Sequence, residues 1–289
     1  MMKGIILAGG LGTRLSPMTN IISKHLLPIH DKPMIYYSLS TLMLAKIKNV
    51  LIISTERDIP LFQLLLGDGS KFGMHIEYKV QEKPEGLAQS FIIGEDFIEK
   101  DNCALILGDN LFFGNELVSI LSKNKKNNIG ATIFAYPVKD PQRYGVVEVE
   151  ENHISSIEEK PVKPKSNLAI TGLYFYNNSV IEIAKKIKPS DRGELEITDL
   201  NRKYLEKDQL NVEIMGRGMT WFDAGTVDSM MDASQFVNVI EKRQGLKIAC
   251  PEEIAWRNKW ITKERMLIII DEMQNIEYKN YLIGVLQST

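Results

Sequence analysis

The chain predicts an α/β protein: a mostly parallel sheet with helices packed on its faces. Three observations carry that prediction. Short runs rich in Ile and Val, at 5–7, 50–54, 76–80, 104–107 and 131–136, alternate with helical patterns at 33–45, 59–66, 86–97 and 116–125. Residues with obvious chemistry follow the ends of those runs, a glycine loop after Leu7 and Asp109 after Leu107, which is where open α/β sheets bind ligands. The 289 residues, 44% of them hydrophobic, suffice for one large domain with an appendage or for two small ones.

Each element has a local reason. Pro33 suits a first helical turn, because its missing N–H is one of the donors a helix leaves unused there. Past Pro137 the rhythm changes. Residues 146–149 and 154–158 flank Glu151-Asn152-His153 as a hairpin, 168–176 form a further strand, and this β insertion is placed over the site. Thr226 precedes Val227, Met230, Met231, Phe236, Val237 and Ile240, the spacing of an amphipathic helix with Thr226 as its cap. From Cys250 the pattern is helical. The expected organisation is a main domain over 1–245, divided near 137, and a small C-terminal helical appendage over 246–289.

Several function classes drop out. A net charge of −2 argues against a nucleic-acid surface, and the basic cluster Lys123, Lys125 and Lys126 reads as a solvated helix end. The longest apolar runs fall far short of the ~20 residues of a membrane helix, and a strand starting directly after the initiator leaves no room for a signal peptide, so a cytoplasmic protein is expected. Cys103 and Cys250 are expected to be buried and unpaired. His25, His30, His75 and His153 lack the i, i+4 spacing of a helical zinc pair, and no Gly-x-Ser-x-Gly elbow occurs.

What remains points to phosphate. Ala8-Gly9-Gly10-Leu11-Gly12-Thr13-Arg14, followed by Ser23-Lys24-His25, combines backbone that can approach an anion with two cationic side chains, a pairing suited to a polyphosphate. The P-loop spacing is not met, and Leu15 stands where a dinucleotide fingerprint requires its third glycine, which disfavours a nicotinamide-dependent oxidoreductase. Asp109 and Asp223, if brought together, would suit Mg²⁺, which takes few protein oxygens alongside water and phosphate. Gln81 and Gly86 could read a base edge, since a carboxamide matches the imide of uracil or thymine. Each feature alone has a plainer reading: a glycine turn, a capping Asp, a solvated Lys.

Together the motifs resemble the sugar-1-phosphate nucleotidylyltransferases. The likeness runs from about Lys3 to about Trp260 through Gly9-Gly10-Leu11-Gly12-Thr13-Arg14, Lys24-His25-Leu26-Leu27-Pro28, Asp31-Lys32-Pro33-Met34-Ile35-Tyr36-Tyr37, Leu107-Gly108-Asp109-Asn110, Glu159-Lys160-Pro161 and Gly193-Glu194-Leu195-Glu196-Ile197-Thr198-Asp199. It is nearest to the members that use dTTP and glucose 1-phosphate. The resemblance implies a Rossmann-like mixed sheet, nucleotide binding by about 1–137 and sugar-phosphate binding by about 138–245. It implies that Gly9, Gly10, Gly12, Thr13, Arg14, Lys24, His25, Gln81, Gly86 and Asp109 contact the nucleotide, and that Asn110, Gly145, Glu159, Lys160, Ile170 and Glu196 hold the sugar phosphate. Arg14, Lys24 and Lys160 would be the catalytic cations, with Asp109 and Asp223 on Mg²⁺. Most relatives carry Gln after the site lysine, where this chain has His25. The implied reaction makes dTDP-glucose and pyrophosphate for deoxysugar synthesis of the dTDP-rhamnose type, in a homo-oligomer, a tetramer. A UTP-using enzyme and a non-catalytic nucleotide-sugar-binding subunit are the alternatives; the second is disfavoured because Arg14, Lys24, Asp109, Lys160 and Asp223 are all present.

Overall fold

The structure, a computed structural model, describes residues 1–151 and 153–288. Its strands are β1 (Met2–Leu7), β2 (Pro28–Ile29), β3 (Lys32–Pro33), β4 (Asn49–Ser54), β5 (His75–Val80), β6 (Asn102–Leu107), β7 (Asn110–Phe113), β8 (Ala131–Pro137), β9 (Gly145–Glu150), β10 (His153–Glu159), β11 (Leu168–Tyr176), β12 (Leu210–Ile214) and β13 (Thr220–Asp223). Nine of them form one sheet in the order β10-β9-β11-β6-β1-β4-β5, with β8 pairing both β11 and β12. β6, β1, β4 and β5 are parallel, and β11 joins antiparallel to β6. The α/β sheet is therefore as expected, mostly parallel at its centre and mixed at one side.

The chain runs from β1 outward through β4 to β5, then returns to β6 on the other side of β1. Loops leaving β1 and β6 consequently diverge, and Leu7 stands level with Leu107, so the glycine loop and Asp109 open onto the same crevice. Alternate residues of the central strands feed two cores. Ile5, Leu51 and Leu105 face one side, and Ile6, Ile52 and Ile106 the other. Burying each such side chain contributes ~1.5–3 kcal/mol, which makes the strand ends a rigid base for the site.

The C-terminal segment forms helices Pro251–Arg257, Lys263–Glu272 and Ile276–Gln287, whose Ala255, Met266, Ile269 and Leu282 share a core with Ile6, Ile35 and Leu39. Thr226 caps the helix Val227–Gln244 in a reciprocal capping box with Ser229. β9 and β10 form the expected hairpin; Asn152 of its turn lies outside the described residues.

Three local expectations are corrected. Pro33 pairs with Pro28 in the β2–β3 ribbon and the helix starts at Ile35, because the ribbon needs residue 33 extended. The segment 86–97 is not one helix: Gln89–Ile93 and Glu95–Ile98 are separate, and the chain from Glu85 to Ala88 is held against Leu195 instead (Leu195 N to Glu85 O 2.7 Å; Ala88 N to Leu195 O 3.2 Å). The lysines ending Leu117–Lys126 are not simply solvated, since Lys125 Nζ donates to the carbonyls of Ala45 and Lys46 and Lys123 pairs with Glu213. Cys103 and Cys250 are buried free thiols, as expected. Among the described residues no helix is long and apolar enough to cross a membrane.

Candidate active site

Asp109 sits just beyond β6, and β7 then pairs with β13 in the register that sets Asp223 opposite Asn110. A bond from Ala224 N to Asp109 O (2.9 Å) continues this pairing. Two carboxylates separated by more than a hundred residues thus face one cavity. Asn110 locks the junction: its Oδ1 accepts from Trp221 Nε1 (2.6 Å) and Gly172 N (2.9 Å), and its Nδ2 donates to Asp109 Oδ1 (2.9 Å).

Cations close around the pair. Lys24 Nζ reaches Asp109 Oδ2 from the short helical turn Lys24–Leu26, which Ser23 caps. Arg14 comes from the turn Thr13–Leu15, and its guanidinium lies over Gly225 beside Asp223, so closely that a Cβ on residue 225 would fall 2.7 Å from Nη2. Burial works against ionising Asp109, but the charges of Lys24 and His25 and the bonds from Lys24 and Asn110 prevail, holding it below the usual carboxylate range. Asp223 is pushed up to about 6, by burial first and then by the charge of Asp109, with Lys24 and Arg14 only partly compensating.

The main cavity, about 360 Å³, is lined by Arg14, Lys24, Asp109, Asn110, Gly145, Glu159, Lys160, Ile170, Glu196 and Asp223, all of them sequence-expected. β10 ends at Glu159, and Lys160 takes a left-handed φ of 43° while its N–H donates to Tyr144 O (3.0 Å) and its Nζ lies 3.5 Å from Glu159 Oε1. Glu159 Oε2 accepts from Thr198 Oγ1 (2.5 Å), and Glu196 Oε1 from Ser190 Oγ and Arg192 Nη2 (both 2.8 Å).

A smaller cavity of about 200 Å³ shares Lys24, Leu87, Asp109 and Glu194 with the first and adds Gly10, His25, Gln81 and Gly86. Gly86 is required there: φ is +104° and an added Cβ would strike the Leu195 backbone at 2.5 Å. His25 is buried, with Nδ1 3.0 Å from Ser23 Oγ; burial and then Lys24 push its pKa down to about 3 against Asp109 and Asp58. Gly9, Gly12 and Thr13 line neither cavity. Of the three loop glycines only Gly12 adopts a left-handed φ (+63°), Gly9 is needed for the close approach of Gln81, and an added Cβ on Gly10 would meet nothing within 4 Å.

Sequence reasoning missed Arg143, Arg192, Thr198 and Trp221, which also line the main cavity. Thr198 stood inside a quoted motif, at the helix start after Glu196, and Arg192 directly precedes that motif; Trp221 lies two residues before Asp223. Arg143 lies two residues before Gly145. Its guanidinium pairs with Asp140 (2.8 Å) and lies 5.4 Å from the centre of the Tyr144 ring.

Comparison with known proteins decides the lineage. Residues 3–239 match the family model described as Nucleotidyl transferase. The glucose-1-phosphate thymidylyltransferase of Neisseria meningitidis serogroup A is 55% identical over 99% of this chain and 100% of its own length, and that of Mycobacterium tuberculosis H37Rv 52% identical over 99% of each. The chain belongs to the nucleotidyl transferase family, among the glucose-1-phosphate thymidylyltransferases. Solved structures agree. A Bacillus anthracis protein assigned the same activity and crystallised with sucrose superposes with a TM-score of 0.76 at 41% identity, covering 82% of this chain and 95% of the other. A UDP-glucose pyrophosphorylase complexed with UDP-glucose gives 0.73 at 26%, covering 84% and 100%. The resemblance read from the motifs is thereby upheld, and the chain is a nucleotidyltransferase.

Proposed function

We propose that this nucleotidyl transferase joins dTTP to α-D-glucose 1-phosphate, giving dTDP-glucose and pyrophosphate for deoxysugar synthesis of the dTDP-rhamnose type. The observation that carries the reading is the convergence of Arg14, Lys24, Lys160 and Arg192 with Asp109 and Asp223 on one cavity beside the Gln81 pocket. Dianionic and tetra-anionic substrates repel each other, so the principal task is neutralising charge and aligning attack. A phosphate oxygen of the sugar phosphate bonds to the α-phosphorus of the nucleotide while the bond from that phosphorus to the β-phosphate oxygen breaks. No proton has to move, which agrees with a site lacking a nucleophile–base pair.

In this scheme Lys24 offsets charge at the α-phosphate, Arg14 grips the departing pyrophosphate and Lys160 holds the sugar phosphate, with Glu159, Glu196 and Gly145 around the sugar. Gly9, Gly10, Gly12 and Thr13 wrap the triphosphate, and Gln81, Gly86 and His25 meet the nucleoside. Family members generally use a divalent metal. An oxygen-only donor set of two like-charged, closely placed carboxylates fits Mg²⁺, so Asp109 and Asp223 would hold it. Bound there, the ion would stabilise charge developing on the phosphate oxygens.

A matrix of dTTP, UTP and dCTP against several hexose 1-phosphates, reading pyrophosphate, tests the proposal. Greatest turnover with dTTP and glucose 1-phosphate is expected. UTP should follow, since it differs by one methyl and one ribose hydroxyl, and a methyl in a fitted pocket is worth only ~1–3 kcal/mol. Absence of pyrophosphate from every pair would leave the non-catalytic reading instead. We further propose a homo-oligomer, a tetramer, on the ground that helix Val227–Gln244 leaves Val227, Met231 and Val239 exposed; sedimentation of the pure protein as a monomer would refute it.

A further inference from the structure

Gln81 is held in one orientation by residues that line neither cavity. A side-chain amide has nearly the same shape after a flip, yet its donor and acceptor ends exchange, so a base-reading amide is only as selective as its orientation is fixed. Gln81 Nε2 donates to Gln89 Oε1 at 2.6 Å. Gln89 Oε1 also accepts the backbone N–H of Glu85 at 3.3 Å, and Gln89 Nε2 donates to Glu85 Oε2 at 2.8 Å.

Both ends of this relay are irreversible. A carboxylate can only accept and a backbone N–H can only donate. Flipping Gln89 would set its oxygen against the Glu85 carboxylate and its NH₂ against the Glu85 N–H; flipping Gln81 would set two amide oxygens together. Gln81 is buried, and its amide lies over Gly9, where an added Cβ would come 2.1 Å from Oε1. What it has left for a ligand is the oxygen as acceptor and the second N–H as donor. That order suits the N3–H and neighbouring carbonyl of uracil or thymine. Cytosine, with N3 as acceptor and its exocyclic amine as donor, needs the flipped amide.

We infer that Gln89, anchored by Glu85, is a positioning residue that fixes the Gln81 amide so that the pocket selects an imide pyrimidine over cytosine. This deepens the proposed function and rests on its reading of Gln81 as the base contact. The experiment measures kcat and KM for dTTP and dCTP, at saturating glucose 1-phosphate, in the wild type, Gln89→Leu, Gln81→Leu and the exchange variant Glu85→Gln/Gln89→Glu. The exchange moves the carboxylate to position 89, where it accepts from both amides and from the Glu85→Gln backbone N–H, so the orientation of Gln81 is retained.

Gln89→Leu should raise KM for dTTP about tenfold with kcat within about twofold, and lower the dTTP-over-dCTP ratio of kcat/KM at least tenfold, because unpaired polar groups are what such a site uses to reject the wrong partner. The exchange variant should keep that ratio within about threefold of wild type, a rescue that a merely structural role for Gln89 would not produce. A wild-type ratio in Gln89→Leu alongside a collapsed one in Gln81→Leu overturns the inference alone. Loss of selectivity in the exchange variant equal to that of Gln89→Leu overturns it as well. A wild-type ratio in Gln81→Leu overturns the underlying reading of the base contact.

Discussion

Two knots of charge lie at opposite ends of the helix Val227–Gln244, and they are built on opposite rules. At its C-terminal end, Lys32 Nζ bonds Asp31 Oδ1 and Glu241 Oε1 (3.1 Å for the latter), Lys247 Nζ bonds Asp31 Oδ2 (2.5 Å) and Glu241 Oε2 (3.2 Å), and Ile248 N completes Glu241 Oε1 (2.8 Å). Every carboxylate oxygen has a donor and the charges cancel. At the N-terminal end, Asp223 has one backbone donor, Gly225 N at 3.1 Å, and faces a second carboxylate. The carboxyl groups register the difference. Burial opposes the ionisation of Asp31, yet Lys32 and Lys247 lower its pKa, whereas that of Asp223 rises. His30, Asp31 and Glu241 place potential ligand atoms within 4.8 Å of one another, a cluster suggestive of a metal site, but lysines already occupy the two carboxylates. A closed network holds the fold together; an open one is shaped for a ligand.

The sharpest way to break this contrast is Asp223→Asn. Turnover in the pyrophosphate-release assay should fall at least about 10³-fold, the several kcal/mol typical of an essential metal or electrostatic group. Stability should move the other way. Because the folded pKa of Asp223 is raised to about 6, its contribution is fully present below the ordinary value of 3.8 and is lost as pH climbs through 6. The Asn variant escapes that loss, so urea unfolding at pH 7.5 should show a gain of about 1–3 kcal/mol. An active variant, or one destabilised at that pH, would erase the distinction between the knots. Lys32→Met is the mirror experiment. Removing Lys32 leaves Asp31 and the buried Glu241 to share Lys247 alone, which should cost about 1–3 kcal/mol in the same titration, while the folded fraction keeps kcat within about twofold. A large kcat loss at unchanged stability would make the closed knot part of the site.

The contrast also marks what could be read from the chain. The parallel strands were legible because 5–7, 50–54 and 104–107 are continuous apolar runs bounded by turn residues, and Asp109 was placed by the strand before it. The meeting of Asp109 with Asp223 was visible only as a family resemblance, since it depends on β7 pairing with β13 and no local pattern encodes a pairing over that separation. Lys32 and Glu241 looked like ordinary charged residues, because a buried ion pair has no periodicity of its own. Pro33 misled for the reverse reason: a sound local preference lost to the β2–β3 ribbon. Arg143 and Arg192 escaped notice because their importance lies in where the β9–β10 hairpin and the 190–196 segment come to rest around the cavity.

A smaller effect sharpens the comparison at the open knot. His25 is buried beside Lys24 without a charge partner of its own, and its pKa is depressed to about 3. A depressed histidine stabilises the fold above its ordinary value of 6.5, and that contribution is lost as pH falls below it. Between pH 6.5 and 5 the wild type should therefore lose about 2 kcal/mol more than His25→Gln, a difference that comparison of urea midpoints at the two pH values reveals. Parallel pH profiles would mean that His25 titrates in the folded chain as it does in the unfolded one, and that the open knot is better compensated than its geometry indicates.

The smallest effect concerns the helix that joins the knots. Thr226 accepts from Ser229 N at 3.3 Å and the Ser229 hydroxyl answers the Thr226 N–H at 3.1 Å, three residues beyond Asp223. Thr226→Ala removes one cap and should cost about 1 kcal/mol in unfolding. If the cap only satisfies the helix end, kcat and KM stay at wild-type values. Should it also hold the β13 end against Arg14, KM for the nucleotide rises about two- to threefold with no change for glucose 1-phosphate, because a loosened Asp223 weakens only the phosphate side of the cavity. The closed knot supplies the control: Glu241 anchors the far end of the same helix, so Glu241→Gln should destabilise more than the cap variant yet leave both KM values alone. A nucleotide KM that rose equally in both variants would show the helix acting as one rigid lever, with the closed knot setting the position of the open one.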